Sequence, residues 1–89
     1  MLTITEAAGA HLAQLLDRAA PPEGAVMRLG PGTAGGLALQ FDQLRPDDTT
    51  FEHEEKTVLV LDAQLAQRLA ETTLDVRVDD ERPHLFLRH

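Results

Sequence analysis

The chain has 89 residues, 43% of them hydrophobic, with three phenylalanines as its only aromatics and no cysteine. Fifteen acids against eight bases leave a formal net charge of −7, which repels phosphate backbones and anionic lipid headgroups and argues against nucleic acid and membrane surfaces as partners. A chain this short is expected to form one domain over residues 1–89, burying roughly 60 to 65% of the surface that its unfolded form exposes.

Without cysteine there is no disulfide framework, thiolate ligand or thiol nucleophile. The opening "MLTITEAAGAHLAQ" has no basic leader and its apolar residues are spaced. It reads as neither a signal peptide nor a membrane span, which makes a cytoplasmic protein the expectation.

In "EAAGAHLAQLLDRAA", Ala8, Leu12, Leu15, Leu16 and Ala19 fall on one helical face. Thr3 with Glu6 fits a capping box, Thr5 is an alternative N-cap, and Pro21 and Pro22 stop the helix. From Ala25 the period changes to that of a strand, "AVMRL". A glycine loop follows, and then "LALQFDQL" sets Leu37, Leu39 and Phe41 against Ala38, Gln40 and Asp42, which predicts an antiparallel pair. "RPDDTT" is a turn, with Asp47 and Asp48 as turn formers.

"TFEHE" and "KTVLVL" predict two more strands. Asp62 caps a second, shorter helix, "AQLAQRLAETT", whose inner stripe is Leu65, Ala66 and Leu69. "LDVRV" and "HLFLRH" close the chain as a pair of strands around the polar turn "DDERP". The order of elements predicts an α+β fold, short and mostly antiparallel strands covered by two helices.

Taken together, "LTITEAAGAHLAQLL", "RLG" before a glycine loop, "LQFDQLRPDDTTFE" and "VLVLDAQLAQRLAETTLDV" resemble the HesB/IscA family of A-type iron-sulfur carriers. The resemblance covers nearly the whole chain and implies a small β-sandwich with two helices that assembles as a homodimer. It also implies a place in iron-sulfur cluster biogenesis, with a protein of that pathway as partner. In that family three cysteines carry the chemistry, one in the glycine loop and two in a C-G-C pair near the C-terminus. Here the ligand loop is represented by Thr33, Ala34, Gly35 and Gly36, and no cysteine stands in it. The fold carries over and the cluster ligands do not. Gly30, Gly32, Gly35 and Gly36 then keep a geometric role, permitting positive φ in a tight reversal.

Imidazole is the remaining competent ligand for iron or zinc. His84 and His89 lie near where the family's terminal cysteines fold back toward the loop, and His53 sits among Glu52, Glu54 and Glu55. On a strand only His53 and Glu55 share a side, which favours a solvated edge over a ligand cluster. His11 reads as a boundary residue of the first helix, and no H-x-x-x-H or H-E-x-x-H spacing occurs. Asp79, Asp80 and Glu81 read as a charged hairpin tip, lacking the ligand pattern of a calcium loop.

The glycine loop leads into a strand, so no helix dipole faces a phosphate, and it matches no nucleotide motif. The chain has neither serine nor cysteine as a nucleophile. A non-catalytic interaction module with no bound cofactor is the first expectation. An iron or zinc carrier using His, Asp and Glu ligands is the alternative.

Overall fold

The computed structural model describes residues 1–32 and 37–88, with Leu37 by its backbone alone. Their order is β1 (Thr3–Ile4), α1 (Glu6–Ala19), β2 (Ala25–Pro31), β3 (Leu37–Gln43), β4 (Thr49–His53), β5 (Lys56–Leu61), α2 (Ala63–Arg68), β6 (Thr73–Asp79) and β7 (Arg82–Arg88). One sheet runs β3-β2-β5-β4 and the other β1-β6-β7. The three hairpins β2–β3, β4–β5 and β6–β7 are antiparallel, as the alternating segments predict. Two parallel pairs, β1 with β6 and β2 with β5, tie distant segments together. The result is the expected α+β fold of mostly antiparallel strands with two helices.

Both sheets pack on α1, because its stripe of Ala8, Leu12 and Leu16 meets Leu29, Leu59, Leu61 and Leu74 in one core. Ala8, Leu12, Leu59 and Leu61 are wholly buried, and each large aliphatic side chain so placed contributes about 1.5–3 kcal/mol. Thr5, not Thr3, caps α1: its hydroxyl accepts from the Ala8 N–H at 3.1 Å and donates to Asp75 at 2.9 Å, fastening the helix to β6. Thr3 is occupied otherwise. Its N–H donates to the Thr72 carbonyl and it pairs with Thr73 in β1, so the Thr3–Glu6 capping box does not form.

The second helix ends at Arg68, short of the predicted Thr73. Strand pairing of Thr72 and Thr73 with β1 claims the backbone that would have extended it. Phe41, expected on the buried side, is 43% exposed, on a strand at the end of its sheet with no neighbour beyond it among the described residues. Gly30 lies in extended β2 opposite Ala38, so the reversal does not begin there. Among the described glycines the one with positive φ is Gly24, at +86°, in the turn that leads into β2.

Candidate functional site

An open, largely apolar groove of about 500 Å³ lies beside α1. Leu15 comes from the helix, Leu29 and Leu39 from β2 and β3, Leu74 from β6, and Leu85 and Leu87 from β7. A volume and lining of this kind suit a binding cleft in which a few polar groups set orientation. Among the described residues its polar lining groups are His11 and His84, with no carboxylate. Burial pushes the His11 pKa down, and Arg18 and His84 act in the same direction. A neutral imidazole at His11 therefore sits among apolar side chains, with cationic charge near it.

His84 is thus brought to the groove, next to the boundary residue His11. His53 is not. Its ring packs against Gly9, where an added Cβ would come within 2.9 Å of Nδ1. Gly9 and His11 are two positions apart, about 200° around the helix, so His53 and His84 lie on opposite flanks of α1. His53 lies on β4, at an edge of its sheet as expected, but is half-buried. Glu54 and Glu55 form the two-residue turn between β4 and β5, both with positive φ, so strand alternation does not extend to Glu55. Asp80 and Glu81 form the equivalent turn between β6 and β7, the charged tip that the sequence predicts. Among the described residues no three His, Asp, Glu or Cys side chains converge as a metal site. His89 and the loop residues Thr33, Ala34, Gly35 and Gly36 lie outside the described residues.

A polar cluster that local reading did not identify stands on the face of β2 opposite the core. Arg28, 5% exposed, donates to Asp48 through two nitrogens at 2.8 and 2.6 Å, to Asp42 at 3.0 Å and to the Gln43 carbonyl at 3.0 Å. Asp48 also accepts from the Arg45 N–H at 2.7 Å. Its bond to Arg28 outweighs the cost of burial and holds its pKa at about 2. Asp48 is more than a turn former: a bidentate, charge-assisted pair anchors the β3–β4 connection to the sheet. Arginine at the centre of an apolar strand, followed by a Pro-Asp-Asp turn, was the available signal. The pairing itself spans 20 residues and no local pattern reports it.

No family model matches the chain, and no curated protein does. Solved structures do. SufA of Escherichia coli, described as involved in the biosynthesis of iron-sulfur clusters, superposes with a TM-score of 0.75 at 27% identity over 98% of this chain and 83% of its own. The chain has the HesB/IscA-like fold.

Two further HesB/IscA-like comparisons agree in fold. IscA with its [2Fe-2S] cluster matches with a TM-score of 0.65 at 18% identity over 99% of this chain and 84% of that one. A protein from Aquifex aeolicus, solved by solution NMR, gives 0.66 at 22% over 99% and 90%. The thiolates that hold iron-sulfur clusters have no counterpart in a chain without cysteine. Its own donor set does not fit such a cluster.

Proposed function

We propose that this HesB/IscA-like chain is a non-catalytic accessory or protein-interaction module connected with iron-sulfur cluster biogenesis, which holds no thiolate-ligated cluster of its own. The carrying observation is the joining of a nearly complete HesB/IscA-like fold to a sequence without cysteine. A scaffold of this kind still offers two sheets, an apolar groove and an acidic surface to a protein partner. In this reading it works in the cytoplasm as a homodimer; no helix among the described residues is long and apolar enough to cross a membrane.

The deciding experiment is anaerobic reconstitution with iron and sulfide, followed by elemental analysis and a visible absorption spectrum. A colourless protein without stoichiometric metal is expected. A stable cluster overturns the proposal. About one equivalent of iron or zinc, lost in His84→Ala, establishes the nitrogen- and oxygen-ligated carrier in its place.

A further inference from the structure

The groove runs between two sheet edges that no other strand among the described residues pairs with. β7 ends the β1-β6-β7 sheet and β3 ends the other, and residues of both line it. Strand chemistry shows which backbone groups are open on β7. Asp80 and Glu81 make a two-residue turn with φ of 49° and 63°, so Asp79 and Arg82 close the hairpin as a hydrogen-bonded pair. Alternation then makes His84 and Phe86 face β6 in hydrogen-bonded pairs, while the backbone groups of Pro83, Leu85 and Leu87 point outward. Pro83, which has no N–H to donate, falls at an outward position as this register requires. Leu85 and Leu87 each present an N–H and a carbonyl outward, and among the described residues no backbone bond outside the hairpin reaches them.

The two faces beside this edge differ in chemistry. On the inner face Leu85 and Leu87 border the apolar groove. The outer face carries Arg77, which lies 4.9 Å over the Phe86 ring, and Arg88, tied to Asp75 at 3.3 Å, while His84, opposite Arg77, stands at the rim where this face meets the groove. Asp79 lies beside this outer patch, opposite Arg82. An added strand places alternate side chains on these two faces, and opposite charges across a strand pair are favourable. We infer that the β7 edge and its groove take up an extended segment of a partner protein in which apolar residues alternate with acidic ones. The apolar set fills the groove and the acidic set meets Arg77 and His84. Main-chain bonds to Leu85 and Leu87 supply affinity, and the two faces supply selectivity.

This inference names the partner chemistry for the interaction module proposed above and rests on that reading. The test is an amide-resolved NMR titration of the full chain with a short synthetic peptide alternating valine and glutamate. Saturable binding is expected, with the largest shifts at Leu85, Leu87, Ala38 and Leu39 and slowed hydrogen exchange at the first two. His84→Glu changes an exposed side chain, so the fold is retained, and binding weakens by roughly tenfold through like-charge opposition. Leu87→Pro, which removes one outward N–H, weakens it as well.

The inference is overturned by no saturable shift, by shifts centred elsewhere, or by equal binding of a valine–lysine peptide. It is equally overturned if Leu85 and Leu87 become protected with rising protein concentration alone, since a second copy is then the occupant. Absence of peptide binding by a protein that also forms no cluster defeats the edge inference alone. A cluster after reconstitution defeats the interaction-module reading itself.

Discussion

Asp48→Ala leaves the Arg28 guanidinium inside the protein with its two shortest charge-assisted bonds removed. The side chains of the pair are 6% and 2% exposed, so water replaces little of what is lost. Removing one member of a buried pair costs about 3–5 kcal/mol when the other is left uncompensated, and the lower end applies here because Arg28 keeps Asp42 at 3.0 Å. At about 0.05–0.15 kcal/mol per residue, a chain of this length has about 4–13 kcal/mol in total. The substitution therefore removes a large part of the stability and lowers Tm by about 15 °C, measured by circular dichroism and urea titration. Arg28→Met with Asp48→Leu recovers most of the loss, because no buried charge is left without a partner. Asp42 keeps its contact with Arg45 in that double variant. A loss below about 1 kcal/mol in Asp48→Ala, or a double variant no more stable than the single one, refutes the reasoning.

The same pair sets an acid limit: the Asp48 pKa falls from 3.8 to about 2 on folding. With the folded value the lower, the stabilisation is complete above the unfolded value and is lost as pH falls toward 2. The stability gap between wild type and Asp48→Asn thus narrows by about 2 kcal/mol between neutral pH and pH about 2, as followed by urea titration. Gly9→Ala gains up to about 1 kcal/mol of helix propensity, but its Cβ meets the His53 ring at 2.9 Å. A net loss of about 1 kcal/mol is expected from overpacking, reversing to a gain in the His53→Ala background in a double-mutant cycle. Glu54→Asn with Glu55→Gly relieves two left-handed residues, at φ of 51° and 68°, and raises stability by about 1–2 kcal/mol in denaturant titration.

The hairpins and both helices were legible because each rests on contacts between near neighbours along the chain. Leu12 and Leu16 fall on one turn-spaced stripe, and Leu85 and Leu87 on one side of a strand. The amphipathic period records such contacts directly. The missing cysteines were equally plain, and they separate this chain from the chemistry of its structural neighbours without any coordinates. The groove was not legible, because Leu15, Leu39 and Leu85 reach it from segments far apart in sequence and each looks like ordinary core. Nor were the parallel pairings β1–β6 and β2–β5, which depend on where the chain returns.

Sequence alone therefore determined both helices, the six strands of the three hairpins and their order, and a chemistry without thiolate, in which imidazole and carboxylate are the groups able to hold a metal. Tertiary structure decided which of those groups meet. It gave Arg28 to Asp48, set His53 against Gly9, brought His84 to the groove beside His11, and placed β7 at the end of its sheet. The physical reason is one of range: periodicity and capping act over a few residues, whereas burial and pairing are properties of surfaces that come together only when the chain closes on itself.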